Sequence, residues 1–492
     1  MLIFEPAHDS DPAKIHVYYQ DVRQVVLQNG VSGNVLPITT SNIEELRFTQ
    51  SFDYMIIVHK DMQPLQLVRG SSNSDWSCGN LSFDSIPTAN FNFATTLTPS
   101  AKTGNNINMT LSSGSYAWVD ADWPNGHRNM QVVINGGLVK LKTVSSSTVM
   151  VADVIYDLVD TEPAEGHEWE IDAFSNLSST LGGGFPRSVS FHQNRLIFGG
   201  TRDKPQTLFG SQSGDFFNFD TFTRTVTESG GSTTVTGTVT DDAAITFTIA
   251  SDSVNVIQHL VSQQSLFIFT SDGEFDMSGE PVTPSNVLVR KQTGYGIGSG
   301  VTTPKIVDNE VLFVAKGGKQ LRAFVYNFNT DAYSAKNYSL VHHDILSGAD
   351  RLAVLTNYAN TNTNYVFCTN TDGSLGVLGV NTEFSVVGWM KFTTDGNFKD
   401  ITVIDDRLYA LVQRMDNDGS TLNTGLFLEK WSEDDIFLDS FHTTSATGSS
   451  FSGAQGLEGR TVKVVADGLL HPDVTVDTAG NFTLTRTSSS TQ

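Results

Sequence analysis

FPRSVSFHQNRLIFGGTRDKPQTLFGSQSGDFFNFD, residues 185–220, sets how the rest of the chain is read. Ser188 to Phe191 alternates polar and apolar, His192 to Arg195 is a polar turn, and Leu196-Ile197-Phe198 is a run suited to a buried strand. Gly199-Gly200 interrupts that strand, Pro205 ends the loop, and Thr207 to Ser211 reads as the next strand. Ser213-Gly214-Asp215 then turns the chain into the aromatic block Phe216, Phe217 and Phe219. Short strands joined by turn residues predict an antiparallel meander, one blade-like unit.

The same unit recurs downstream. Leu266 to Phe269 turns at Asp272-Gly273, Val311 to Val314 at Gly317-Gly318, Tyr365 to Cys368 at Asp372-Gly373, and Arg407 to Leu411 precedes Asp418-Gly419. With Leu196, Leu266, Leu312, Phe367 and Leu408 as markers, the steps are 70, 46, 55 and 41 residues. A strand–turn–strand signature near this spacing predicts propeller blades. The long first step holds the Thr/Gly/Ser-rich stretch Thr221 to Val239, read as a long, mobile hairpin or loop projecting from the body.

Upstream, residues 1–70 read as strands and turns that join the propeller body. Lys14 to Tyr19 and Gln24 to Leu27 are strand-like, and Asn29-Gly30 and Ser32-Gly33 are turns. Leu46 to Asp53 leads into the buried run Tyr54 to His59, which Pro64 is expected to end. Residues 71–184 read as an inserted small β-barrel-like module, with loops at Ser71 to Ser77 and Thr96 to Asn106. Its hairpin runs from Met130 to Ile134, turns at Asn135-Gly136-Gly137 and returns over Leu138 to Val144, with Thr148 to Val154 following. Gly182-Gly183-Gly184 makes a flexible return to the body. The blades occupy 185–440, with a short helix expected at Ser339 to Leu346. Thr443 to Gly453 is a linker within 441–492, where Thr461 to Val465 and Val474 to Thr485 build a small C-terminal β module and Arg486 to Gln492 is a frayed tail. The fold class is mostly β.

Composition agrees with strands and turns: 42 glycines, few cations and many Phe, Val, Thr and Ser residues. Lysine plus arginine number 30 against 53 acidic residues, a net charge of −23 that disfavours a binder working by phosphate neutralisation. Cys78 and Cys368 form no metal or redox pattern and are expected as buried thiols. The first residues lack a signal-peptide pattern, and no stretch reaches the roughly 18 apolar residues of a membrane span. A soluble chain not secreted by the usual route is the expectation.

At the level of motifs, the chain resembles the tail nozzle, or tail tubular, proteins of short-tailed bacteriophages. LRFTQSFDYMIIVHKDMQPLQLVR (46–69) is similar to that family's opening hairpin, and FPRSVSFHQNRLIFGGTRDKPQTLFGSQSGDFFNF (185–219) to its most recognisable motif. FTSDGEFDMSGEPVTP (269–284), KQTGYGIGSGVTTPKIVDNEVLFVAKGG (291–318) and YNFNTDAYSAKNYSLVHHDIL (326–346) follow in the family's order. LEGRTVKVVADG (457–468) resembles a motif of its C-terminal module. The resemblance implies a virion protein, made in the host cytoplasm, that assembles as a six-fold ring below the head-to-tail adaptor. Tail fibres or spikes attach around it, a distal tip or needle lies beyond, and double-stranded DNA is retained and ejected through the lumen without sequence-specific contact. The acidic charge is compatible: a lumen of the same sign repels phosphate within a Debye length, about 8 Å at physiological salt.

Within the main motif Arg195, Gly200, Arg202, Pro205, Gln206, Gly214, Asp215 and Phe219 are expected to hold the blade. Arg195 would pair with a neighbouring carboxylate and Asp215 would accept turn amides. Thr221, Arg224, Glu228, Thr234 and Thr238 mark the projecting stretch, expected to touch a neighbouring subunit or guard the lumen. His342-His343-Asp344 reads as a solvated segment, because adjacent helical side chains do not face one another. Asp416-Asn417-Asp418-Gly419 has calcium-loop composition, but Phe427 at position twelve supplies no carboxylate, so it reads as a hairpin turn. Asp120 and Asp122 beside Trp118 and Trp123 could form paired carboxylates at a sugar site. Without a G-x-S-x-G, P-loop or Cys–His pattern, neither an enzyme nor a cofactor is expected. The competing readings are a propeller glycosidase or depolymerase and a carbohydrate-binding tail adhesin that uses exposed Trp and Tyr.

Overall fold

Each of the five markers falls on the second strand of an antiparallel sheet in the computed structural model of the chain, which places the repeat in register with the architecture. The structure describes residues 1–28, 36–112, 114, 116–229, 232–251, 253–298, 302–356, 363–381, 383–384, 386–417, 422–431, 441, 443–454 and 456–488. The chain divides into two units, Met1–Gly300 and Val301–Gln492. Among the described residues its sheets include seven antiparallel meanders of the β-propeller kind, a three-stranded one at the N-terminus and six blades, and the helical content is one 3-10 turn, Ile43–Glu45.

In the first unit, a three-stranded sheet (Leu2–Glu5, Lys14–Tyr19, Val22–Leu27) precedes blade A, made of Arg47–Ser51, Tyr54–His59, Met62–Arg69 and Trp76–Asn80. Phe52 and Asp53 turn the first pair of blade A, with Ser51 opposite Tyr54. Pro64 does not end its strand. It lies inside Met62–Arg69, where the register shifts between Ile57 and His59, and a bulge tolerates the missing N–H. The turns expected at 29–30 and 32–33 lie outside the described residues.

Blade B consists of Ser188–His192, Arg195–Gly199, Thr207–Gly210 and Ile245–Thr248, and blade C of Ile257–Ser262, Leu266–Thr270, Gly273–Ser278 and Leu288–Thr293. Their facing apolar sides share one core, in which Ile197, Leu208 and Ile257 meet Leu266, Ile268 and Phe275. Between the third and fourth strands of blade B, Thr223–Ser229 and Ser232–Thr238 form a separate two-stranded ribbon.

The inserted module is one seven-stranded antiparallel sheet in the order Thr88–Ala89, Glu170–Asp172, Gln131–Ile134, Gly137–Val144, Val149–Tyr156, Ile107–Leu111, Leu97–Pro99. Leu97 bonds reciprocally with Ala164 at 2.9 and 3.0 Å, curling one edge toward the other around Met109, Met130, Met150 and Trp169. Asn135 (φ 46°) and Gly136 (φ 71°) supply the two left-handed residues that a tight hairpin turn demands. The glycine run at 182–184 is not a flexible return. All three residues are buried with positive φ, and a Cβ on Gly184 would sit 2.6 Å from the Arg202 Cβ. Close approach of backbone to side chain is what the glycine permits here.

The second unit carries blade D (Lys305–Val307, Glu310–Val314, Leu321–Asn327, Ala332–Asn337), blade E (Ala349–Leu355, Asn364–Asn370, Leu375–Asn381, Val386–Phe392) and the three-stranded blade F (Asn397–Ile404, Arg407–Asn417, Leu422–Lys430). No helix forms at Ser339 to Leu346; the segment is a series of turns. Leu340 and Val341 are 73% and 78% exposed, so the stretch has no apolar face to pack a helix, and the buried Ser339 hydroxyl instead accepts the Leu321 N–H. Beyond blade F, two small sheets pair Gly448–Phe451 with Phe482–Ser488 and Thr461–Ala466 with Leu469–Thr475 around Phe451, Ala466 and Leu484. The last strand carries order through Ser488: Arg486 donates to the Ala466 carbonyl at 2.6 Å, so the fraying expected from Arg486 does not begin there. Residues 489–492 lie outside the described set.

Candidate functional site

Arg195 opens the second strand of blade B and is 2% exposed. Its guanidinium donates to carbonyl oxygens rather than to a carboxylate: Ser211 at 2.6 Å, Ala243 at 2.7 Å, Asp241 at 2.8 Å and Asp242 at 3.2 Å. A planar fork of donors suits this task, because the chain leaves the blade at Ser211 and re-enters it at Asp241 to Ala243. Arg195 therefore clamps both roots of the excursion that contains the ribbon. The carboxylate pairing fails because the strand ends present their own orphan carbonyls where an acid would have to stand.

The other motif residues are spent in the same way. Arg202 forms a forked contact with Asp203 (3.0 and 2.7 Å) and donates to the Leu177 carbonyl at 2.6 Å, joining blade B to the inserted module. Gln206 bonds the Ile249 carbonyl and the Ser251 hydroxyl, both at 3.2 Å. Gly200 has φ 64°, and a Cβ there would lie 2.9 Å from the Pro205 carbonyl oxygen, which itself accepts the Ile257 N–H at 3.0 Å. Gly214 (φ 80°) and the exposed Asp215 form the tight turn, where Asp215 uses its backbone N–H on Gln212. Phe219 is 2% exposed and stacks on Phe198 at 5.5 Å. Around that pair, Phe83, Phe174 and Phe209 join with Ile56 and Val58, so blade A, blade B and the module share one aromatic core.

The stretch after Phe219 takes the hairpin form of the two expected, but as a ribbon docked on the module rather than projecting from the body. Thr223 stands opposite Thr238, Thr225 opposite Thr236 and Thr227 opposite Thr234, while Arg224, Val226 and Glu228 occupy the alternate positions. Thr221 lies at the root and is half-buried. Asp157 of the module accepts the Val235 N–H at 2.9 Å and donates its own N–H to the Val235 carbonyl at 2.7 Å. Tyr156 donates to the Asp220 carboxylate at 2.6 Å and meets Phe222 edge-on. Burial raises the Asp220 carboxyl above its usual range, and burial together with Asp220 raises the Tyr156 phenol. Sequence reasoning missed Tyr156 and Asp157, since a Tyr-Asp pair at a strand end carries no distinguishing pattern.

Inside the module, buried His127 accepts the Val119 N–H on Nδ1 at 2.8 Å. The proton therefore sits on Nε2 and is donated to the Tyr116 hydroxyl at 2.9 Å. Burial lowers the imidazole to about 4. Asp120 and Asp122 do not form an open carboxylate pair: Arg128 lies 3.3 Å from the first and 3.2 Å from the second. Arg128 thus stands between the two carboxylates, where the scissile bond of a sugar would have to lie. His342, His343 and Asp344 are exposed in turns. Asp418-Gly419 lies outside the described residues. Among the described residues no group of three or more His, Cys, Asp or Glu side chains is placed to hold a metal, and no helix is long and apolar enough to cross a membrane. Cys78 and Cys368 are buried thiols, with burial pushing Cys78 up to about 12.

A shallow hollow of about 350 Å³ lies between blade A and the module, lined by side chains that include Asp61, Gln63, Asn80, Asn125 and Asn176. These five are dispersed over more than a hundred positions, and no sequence signal joins them.

No protein-family model matches the chain, and no curated protein does. Similar solved structures include a "putative 6-phosphogluconolactonase" of Bacteroides uniformis at 12% identity, covering 76% of this chain and 92% of that one with a TM-score of 0.31. A protein of the same name from Bacteroides fragilis has 10% identity over 72% and 97%, with a TM-score of 0.29. An auxiliary nutrient binding protein of Bacteroides thetaiotaomicron has 11% identity over 68% and 86%, with a TM-score of 0.24. At these values no residue role passes from those proteins to this chain. The names nevertheless correct one expectation: two belong to proteins called lactonases, so the reading of this chain as a non-enzyme is set aside.

Proposed function

We propose that the chain is a ring-forming wall subunit, the nozzle of a short phage tail, joining a head-to-tail adaptor to fibres or spikes and to the distal tip. The observation that carries this reading is the use of the 185–219 motif. Arg195, Arg202, Gln206 and Phe219 are all consumed in fixing blade, module and ribbon to one another. Rigidity of that kind serves a wall that bears load, and the surplus of 23 negative charges disfavours retention of a polyanion passing by. Mass photometry of the purified chain, alone and with an adaptor ring, tests it. Six-subunit rings are expected; a chain that stays monomeric in both conditions overturns the proposal.

The second reading is a propeller hydrolase acting on envelope polysaccharide, to which the names of the similar structures are nearer. Its acid would lie outside the Arg128-bridged Asp120–Asp122 pair. Release of reducing sugar from host polysaccharide, unchanged in an Asp120→Asn/Asp122→Asn variant, would establish it.

A further inference from the structure

We infer that the hollow between blade A and the inserted module is a binding site for a neutral glycan. Asp61 stands in the turn between two strands of blade A, Gln63 on the strand that follows, and Asn80 at the end of the last. Asn125 and Asn176 come from the module side, where the Asn176 N–H donates to the Pro124 carbonyl at 2.9 Å and Trp123 donates to the Phe174 carbonyl at 2.7 Å. Two rigidly held segments thus set five planar polar side chains around one concavity.

The chemistry of that set selects a polyol. The Asn176 amide donates to the Asn125 carbonyl oxygen at 2.9 Å, which leaves an NH2 group on Asn125 and a carbonyl oxygen on Asn176 without further partners among the described residues. Adjacent sugar hydroxyls each donate and accept, so the paired amides, with the Asp61 oxygen that Lys60 leaves open, match them. Pro37 and Pro124 line the hollow as well and offer apolar surface to a C–H face. Asp61 is ion-paired with Lys60, and the net charge of −23 disfavours an anionic ligand. The site is independent of ring assembly, and it would give either functional reading a means of touching a cell envelope.

Affinity electrophoresis of the full chain through gels containing dextran, galactomannan or a neutral β-glucan tests the assignment. Retardation on at least one polymer is expected, with the association constant falling tenfold or more in Asn125→Ala/Asn176→Ala. Gln63→Trp, which fills the hollow without touching the Asn125–Asn176 bond, is expected to abolish retardation while near-UV circular dichroism stays unchanged. Absence of retardation on all three polymers, or retardation equal to wild type in both variants, overturns the proposal. Ring formation, measured on the same samples, separates this outcome from failure of the nozzle reading.

Discussion

Arg195 and His127 are single side chains whose burial makes their partners decisive. Arg195→Met removes the donors from the two buried carbonyls of Ser211 and Ala243 and from the part-buried one of Asp241, and is expected to lower stability by about 3 kcal/mol, read from urea unfolding. Arg195→Lys, with fewer and shorter donors, should recover only part of that loss. His127 behaves differently because its cost depends on pH. The unfolded imidazole binds a proton near 6.5 whereas the folded one waits until about 4, so stability contributed by the neutral ring is full above 6.5 and declines as pH falls toward 4. Each unit is ~1.4 kcal/mol, giving a loss of about 3 kcal/mol across the window. Asp172 acts in the opposite sense, since burial raises its carboxyl and folding then favours its protonated form as pH drops. Comparing wild type with His127→Gln isolates the histidine: the variant keeps an acceptor for Val119 and a donor for Tyr116, and its unfolding midpoint should vary less between pH 6.5 and 4.5.

The ribbon shows how an element with little core of its own is stabilised. Two strands alone are marginal in water, and this pair exposes most of its threonines. What holds it is the Asp157–Val235 exchange, the Tyr156–Asp220 bond and the Arg195 clamp at its roots. Asp157→Ala should speed hydrogen exchange at the Val235 amide at least tenfold while leaving blade B protected. Replacing 222–239 by a short glycine linker should preserve the fold and abolish ring assembly; rings that form normally would remove the ribbon from the proposed interface. Along the rest of the chain, strand elements were legible because turn pairs such as Asn135-Gly136 demand left-handed backbone that few residues supply. The helix expected at Ser339 was a misreading, because eight residues with exposed Leu340 and Val341 offer no side to bury. Pro64 escaped its usual meaning because pairing in blade A places a bulge at that point.

For the whole molecule, charge is the property with the longest reach. A protein carrying −23 should show no retention of double-stranded DNA in a mobility shift at physiological salt, and binding that persists there would contradict passage without contact. The sequence by itself determined the mostly-β class, the repeat of short meanders and the acidic balance, because alternation, turn residues and charge are local quantities that add along a chain. The buried thiols Cys78 and Cys368 were also expected, since their spacing makes no metal or redox pattern. Tertiary structure alone decided what Arg195 clamps, where the ribbon docks, how Arg128 occupies the Asp120–Asp122 pair and which five polar side chains meet at the hollow. Those facts depend on contacts between residues tens of positions apart, and the pairing of sheets that creates them leaves no mark on any one stretch.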